Sequence, residues 1–484
     1  MIKLKYKIGL EIHTQLTESG TKLFCSCDSN YRKYEPNTNV CPICLGLPGA
    51  LPVPRKQPIK LGIAVAKVFN CEIPDYMVFT RKHYYYPDMP KNYQITQYEK
   101  AGGMPVCLKG ILKYYDPDKH LWKSVTLRRM NIEEDPGKTE YSEGSILNSE
   151  FALVDYNRSG VPLLEVVTEP EIPTPRDARK AVEYLLLTME YIGAINPRLE
   201  GSFRVDANVS VEGGERVEVK NIGSTLDLEK ALKYEIFRQS KIIEGNGTIK
   251  RETRHWDPIR GITKSLRSKE SEEEYLYFPD PDIPAIKTEP LLKEALEHIP
   301  KTPERIMTTI INYGITPKIA WSLVTVKASA ELFLESVRNE ASPKIVARIL
   351  AIDYKGYLKK SGKNVYSREN WPRKETLKKI SDLITSKIYT YDEIKYNVLP
   401  QLVNDPNVAS LNLPEKIYPD NLINNVIVEE KNAVKDFYSG KMEALDYLVG
   451  KVLKRARGKA IDPKIIRQMI ENSLSNLKKG KQNI

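Results

Sequence analysis

Four of the six cysteines fall within twenty residues, as Cys25-Ser26-Cys27 and Cys41-Pro42-Ile43-Cys44. Two close thiol pairs separated by a polar loop can close a tetrahedral zinc site, and four thiolates would leave no position open for water. A metal held this way is structural. The single residue between Cys25 and Cys27 is tighter than the commonest knuckle spacing, and four reduced, buried cysteines are the alternative reading. Cys71 and Cys107 lie in apolar surroundings and read as packing residues. In a reducing compartment this grouping points to metal rather than to disulfides.

A second set of chemistry-bearing residues lies on alternating strands. Ile2, Leu4, Tyr6, Ile8, Leu10 and Ile12 share one parity, leaving Gly9, Glu11, His13 and Gln15 on the other. Glu11 and His13 therefore point to one face, about 6.5 to 7 Å apart at their bases, close enough to share a metal or a substrate group. A second strand repeats the pattern: Phe203, Val205, Ala207, Val209 and Val211 alternate with Arg204, Asp206, Asn208 and Ser210. Between the two come the acidic run Glu133-Glu134-Asp135 and the segment Val161–Val167, where Glu165 interrupts an apolar run. A carboxylate in such a run needs a cation. Oxygen donors with one imidazole suit Mg²⁺ or Mn²⁺ better than zinc, and a structural salt bridge to an arginine is the competing explanation.

The stretch from Arg81 to Tyr93 mixes cations (Arg81, Lys82, Lys91) with Tyr84, Tyr85, Tyr86 and Tyr93. That mixture suits phosphate contact and base stacking, or a tyrosine-rich packed loop. Gly137-Lys138-Thr139 resembles the end of a phosphate-binding loop, but the position that requires glycine is Ile132. Any nucleotide is bound by another architecture.

These residues need a frame. With 484 residues and 41% hydrophobic content the chain can bury a substantial core in about two to four domains. No run of about 18 apolar residues occurs and the first residues alternate charge with apolar side chains, so the expectation is a soluble, cytoplasmic protein. Up to about residue 290 short alternating strands mix with two helices. One opens at Thr174-Pro175 and ends at Gly193; the other runs from about Leu226 to Ile243. The Pro-rich stretch Phe278–Pro284 is predicted to break regular structure and mark a boundary. Apolar spacings of three and four follow, including Ile345, Ile349 and Ile352, and then Leu445, Leu448, Val449, Val452 and Leu453. The predicted class is α+β: a mixed-sheet, cradle-like catalytic domain over 1–292, an all-helical connector over 293–407 and a small basic helical tail over 408–484. The net charge of +11 is uneven, with eleven Lys/Arg against four Asp/Glu from Lys441 to Ile484 and the cluster Lys454–Lys459 within it. A basic tail suits a polyanion such as nucleic acid, or is a solvated helix.

Several ordered stretches together resemble the B-type, kinase/transamidase subunit of the tRNA-dependent amidotransferases. They are Ile8–His13, the four cysteines with Leu45–Pro52, Tyr86–Ile95, Glu133–Lys138, Val154–Glu165, Gly201–Asn208 and Tyr277–Pro279; Phe437–Lys441 and Leu448–Val452 resemble the family's tRNA-binding tail. The resemblance implies that ATP phosphorylates the side-chain carboxylate of Asp-tRNA(Asn) or Glu-tRNA(Gln), after which ammonia displaces phosphate. A carboxylate is a poor electrophile until it carries such a leaving group, and Mg²⁺ would neutralise phosphate charge. It implies Glu11, His13, Glu134 and Glu165 as the metal and kinase site, supported by Glu133, Asp206 and Asn208. Lys82, Tyr84 and Lys91 would line the route for ammonia and substrate. Neither Cys71 nor Cys107 sits in a nucleophile-like turn, so ammonia would come from a separate glutaminase (amidase) subunit, joined with a small bridging subunit in a heterotrimer. The implied partner is misacylated tRNA, with no role for DNA or membrane. The paralogous E-type subunit of the archaeal Glu-tRNA amidotransferase shares the core but carries an insertion before the tail for which this chain has no room. Asn131 stands where many members carry His, so a role borne by that His does not transfer.

Overall fold

The computed structural model describes residues 4–143, 149–267, 275–297, 299–408, 410–414, 419–456 and 463–481. They divide into two compact units, Met1–Ile306 and Met307–Ile484.

The strands of the first unit, in chain order, are β1 (Tyr6–Gln15), β2 (Tyr76–Met77), β3 (Thr80–His83), β4 (Tyr93–Thr96), β5 (Cys107–Asp116), β6 (Leu121–Glu134), β7 (Lys138–Tyr141), β8 (Ala152–Asp155), β9 (Pro162–Thr168), β10 (Phe203–Val211), β11 (Val217–Ile222), β12 (Glu252–Asp257), β13 (Ile262–Arg267), β14 (Phe278–Pro279) and β15 (Ile286–Lys287). Eight of them form one mixed sheet in the order β13-β12-β11-β10-β1-β9-β6-β5. Only β11 and β12 run parallel within it. The unit is thus α+β with a mixed sheet, and helices follow in the second unit.

Strand β1 lies between β10 and β9, and its alternation decides what each face carries. Ile8, Leu10 and Ile12 are buried with Val205, Ala207, Val209, Leu164, Val166 and Ile132. Ile2 lies outside the described residues. Helices α1 (Lys56–Val68), α2 (Pro175–Ile192) and α3 (Thr225–Glu244) pack against the sheet. Helix α1 comes especially close: a Cβ on Gly62 would lie 2.6 Å from Ile132 Cδ1. The ends of α2 and α3 follow local chemistry. Thr174 and Ser224 accept hydrogen bonds from the amides of Asp177 and Asp227, each 3.0 Å long, and Gly193 takes φ +80° to close α2.

Two expectations need correction. Cys71 and Cys107 are joined by a disulfide rather than being free packing residues. After α1, Asn70 takes φ +54° and turns the chain back, so that Glu72 pairs with Leu108. That pairing brings the preceding residues Cys71 and Cys107 to a Cα separation of 5.4 Å, which a sequence separation of 36 does not reveal. The Pro-rich stretch does not break regular structure throughout, because Phe278–Pro279 is the strand β14 of a three-stranded sheet, β14-β3-β4. Pro279 is tolerated there because β14 has a ladder partner on one side only. Asp280 and Asp282 then bind Arg81 at 2.9 and 2.6 Å, tying the stretch back to β3.

The second unit is helical. The helix over 343–360 contains a π segment, Ile349–Tyr354. Its wider turn shifts the helical phase, so Ile352 is 52% exposed while Asp353 is buried and pairs with Lys395 at 2.9 Å. The tail packs Ile423, Val426, Leu445, Leu448, Val452, Ile466, Ile470 and Leu474 into a core of its own. Of the basic cluster, Arg455 pairs with Glu429, and residues 457–459 lie outside the described residues.

Candidate active site

The sheet face opposite Ile8, Leu10 and Ile12 carries polar groups in register. Asn131, Glu165, His13 and Arg204 are cross-strand neighbours in one row; Arg129, Val167, Glu11 and Asp206 form the next. Gly9 and Asn208 continue the face, and Asn208 is opposite Glu218 on β11. Strands about 4.8 Å apart bring side chains of one row into direct contact.

His13 Nε2 lies 3.4 Å from Glu11 Oε1 and 3.9 Å from Glu165 Oε1. Ligand atoms of Glu11, His13 and Asp206 lie within 4.8 Å of one another. Asn131 donates to Glu165. His13 Nδ1, Asn131 Oδ1 and Asn208 Oδ1 are buried without a hydrogen-bond partner among the described residues, so the face holds polar atoms that its own side chains leave unsatisfied.

The electrostatics agree with a cation-binding role. Burial, reinforced by Glu165, pushes the Glu11 carboxyl up to about 8. Burial also raises Asp206 to about 6 and moves Glu133 and Glu165 upward. Burial, then Arg204, Lys82 and Lys220, hold His13 well below the ordinary imidazole range, keeping it neutral as a ligand must be. A divalent cation would invert the carboxylates' preference for protons.

Strand β4 borders this face. Gln94 and Thr96 donate to Glu133, and the Ile95 amide donates to Glu134 at 3.0 Å. Glu134 also accepts a short hydrogen bond from Lys91, in an ion pair that is nearly inaccessible. Lys82 and Tyr84 are half-buried at the end of β3 and beyond, with Lys82 Nζ 4.8 Å from the Tyr275 ring centre. Burial, with Asp88, Glu133, Glu134 and Asp135 nearby, raises the Tyr84 phenol and keeps it protonated.

The four clustered cysteines also converge, with sulfurs within 4.8 Å of one another. The Cys41 amide donates to Cys44 Sγ at 3.1 Å, as expected of a knuckle that bends around a metal. The fully buried Lys22 ammonium lies 3.5 Å from Cys44 Sγ and donates to the Asn39 carbonyl at 2.9 Å. The Cys25 thiol and Lys22 hold the Cys44 thiol low, as a thiolate. The knuckle is joined to the polar site at Gly46, whose φ of +65° suits glycine and whose Cβ, if present, would lie 3.1 Å from Lys91 Cα. A separate cavity of about 490 Å³, lined by Lys67, Phe69, Lys113, Tyr184 and Glu304 among others, shares no lining residue with the polar face.

Comparison with known proteins is decisive about family. Residues 6–294 match the GatB/GatE catalytic domain, and residues 331–474 match the GatB domain. The B subunit of the aspartyl/glutamyl-tRNA(Asn/Gln) amidotransferase of Aeropyrum pernix is 57% identical over 98% of both chains. Its counterparts in Sulfurisphaera tokodaii and Methanospirillum hungatei are 44% and 40% identical, each over at least 97% of this chain and 99% of the relative. The chain belongs to the GatB family of amidotransferase subunits.

In this GatB-family chain, Glu11, His13, Glu165, Asp206 and Asn208 share one face; Glu133, in phase with Asn131 on β6, lies on that side and accepts from Gln94 and Thr96, whereas Glu134, in phase with the buried Ile132, pairs with Lys91. Sequence reasoning passed over Arg204, Glu218, Lys220 and Lys22. Parity could have found the first three. Arg204 is in phase with Asp206 on β10, and Glu218 with Lys220 on β11. Nothing in the sequence marks Lys22 as a buried ammonium beside thiols.

Proposed function

We propose that the polar sheet face is a Mg²⁺-dependent kinase and transamidase site for misacylated tRNA. The single observation that carries this reading is the convergence of Glu11, His13 and Asp206, beside Glu165, on a face with orphaned buried polar atoms. The donor set of carboxylates and one neutral imidazole fits Mg²⁺ or Mn²⁺. Bound there, such a cation would neutralise charge on the transferring phosphoryl group.

The chain's own residues then divide the work. Glu11, His13 and Asp206 would hold the cation, with Glu165 beside His13 and Asn131 orienting Glu165. Arg204, held by Asp135 at 3.3 Å, supplies fixed positive charge beside the phosphoryl group. The carboxylate of Asp-tRNA(Asn) or Glu-tRNA(Gln) attacks the γ-phosphorus of ATP and ADP leaves; ammonia then attacks the acyl carbon and phosphate leaves. Lys82, Tyr84 and Lys91 line the approach for ammonia. The Lys91–Glu134 pair fixes the rim of that approach, and Glu133 anchors β4 to β6. Zinc is the proposed occupant of the four-thiol cluster, with Lys22 offsetting its negative charge. Ammonia would come from a glutaminase (amidase) subunit in a heterotrimer with a small bridging subunit, in the cytoplasm, and the tail would bind tRNA. No helix among the described residues is long and apolar enough to cross a membrane.

The test is amide formation on Asp-tRNA and Glu-tRNA by the assembled complex with ATP, Mg²⁺ and ammonium. Glu11→Ala and His13→Ala should each lose at least about a hundred-fold in rate, the scale of one lost preorganised charge partner. Unimpaired variants would refute the assignment.

A further inference from the structure

Lys220 occupies a position that the proposed mechanism does not use. Strand β11 pairs with β10 through Val205↔Ile222 and Ala207↔Val219, so Lys220 and Asn221 together stand opposite the single residue Asp206. This is a β-bulge, a device that re-aims a side chain and is frequent beside active sites. Asn221 takes φ +61° and donates its amide to Asp206 Oδ1 at 2.9 Å, which locks the bulge onto one of the proposed cation ligands. The side chain of Lys220 is delivered to the same carboxylates, with Nζ 3.9 Å from Asp206 Oδ2 and 3.7 Å from Glu218 Oε1.

These contacts are loose. The structural ammonium of Lys180 shows the contrast: its side chain is 6% exposed and its Nζ lies 2.6 and 2.7 Å from Asp116 and Asp118. Lys220 is 41% exposed on its side chain and stands at the outer limit of ion pairing with both partners. A flexible ammonium held this weakly by two carboxylates is displaced when a divalent cation takes over one of them, and it retains the reach to follow a new anion.

Resting on the phosphoryl-transfer reading above, we infer that Lys220 is a phosphate-binding residue of the site: it sits against Asp206 and Glu218 until a divalent cation occupies the Glu11–His13–Asp206 group, and then engages the nucleotide's phosphates. The bulge makes the exchange possible by placing one lysine within reach of both the cation ligands and the open side of the sheet. The opposing view is that Lys220 is a structural counter-charge for two buried carboxylates. The two views differ in the sign of one measurable quantity, because a structural counter-charge supports the carboxylates whereas a displaceable one competes with the metal.

The experiment compares wild type, Lys220→Met and Lys220→Arg in the full complex, reading Mn²⁺ affinity without nucleotide by electron paramagnetic resonance, labelled ATP binding by equilibrium dialysis, and KM against kcat. Losing one charge-assisted phosphate contact should weaken ATP binding and raise its KM about ten- to a hundred-fold in Lys220→Met. Mn²⁺ should bind that variant as tightly as wild type or more tightly, with the melting temperature held, and Lys220→Arg should recover most of the nucleotide affinity. Unchanged ATP binding in Lys220→Met, or Mn²⁺ affinity lost together with melting temperature, would overturn the inference. A wild type that binds ATP with Lys220-dependence yet forms no amide would count against the proposed reaction alone.

Discussion

Glu11 and Asp206 face each other across β1 and β10, and burial raises both carboxyls above the ordinary range, to about 8 and about 6. Raised folded-state values favour the protonated form, so in chelator their stabilising contribution is present below the open-chain values of about 4.3 for Glu and about 3.9 for Asp and is lost as pH rises through about 6 for Asp206 and about 8 for Glu11. The melting temperature without divalent cations should therefore fall between about pH 5 and pH 8.5, and Mg²⁺ or Mn²⁺ should recover most of the loss at the alkaline end. A profile that is flat and indifferent to Mg²⁺ would contradict the electrostatic description. At this scale, much of the site was legible. The parity of Ile8, Leu10 and Ile12 assigns Glu11 and His13 to one face, and the same rule assigns Asp206 and Asn208. It also puts Glu134 in phase with Ile132 rather than with Asn131, but it does not reveal the pairing of Glu134 with Lys91, because that partner comes from a loop rather than from the sheet. Parity does place Lys220 on the face with Glu218, but its reach to Asp206 depends on a bulge that parity does not show.

The knuckle and helix α1 show what elements contribute. Gly46 lets the cysteine loop pass against Lys91, so the four-thiol cluster supports the ion pair that borders the site. Cys44→Ser should lower the content of bound zinc, read by elemental mass spectrometry, and should depress melting temperature and amidation together. Full zinc content in that variant would remove Cys44 from the site. Gly62 lies where α1 meets Ile132 and Leu164 on the buried side of β6 and β9. Gly62→Val should cost about 1 to 3 kcal/mol in denaturant unfolding through overpacking, and an unaltered midpoint would show that the contact can relax. Helix ends such as Thr174 and Gly193 were readable from local sequence because capping is local chemistry. The disulfide between Cys71 and Cys107 was not, since it depends on where a turn at Asn70 returns the chain. The phase shift at Ile352 escaped for a similar reason: a π segment is a departure from the period on which the expectation rests.

The chain as a whole separates into a sheet-based unit ending at Ile306 and a helical one beginning at Met307, and the two family matches fall on either side of that division. The tail's helices share their own apolar core around Leu445, Leu448 and Ile470. Truncation beyond Val408 should therefore leave the first unit folded, while weakening tRNA binding and flattening its salt dependence. Equal affinity and an equal salt slope would show that the basic tail is a solvated surface. The central claim is that the polar face transfers phosphate to a tRNA-borne carboxylate. It is tested most directly by charging tRNA with glutamate or aspartate labelled with ¹⁸O in the side-chain carboxylate and turning it over with ATP, Mg²⁺ and ammonium in the complete complex. The account predicts one ¹⁸O in the released phosphate for each amide formed, with none from Glu11→Ala; amide formed with unlabelled phosphate would contradict it.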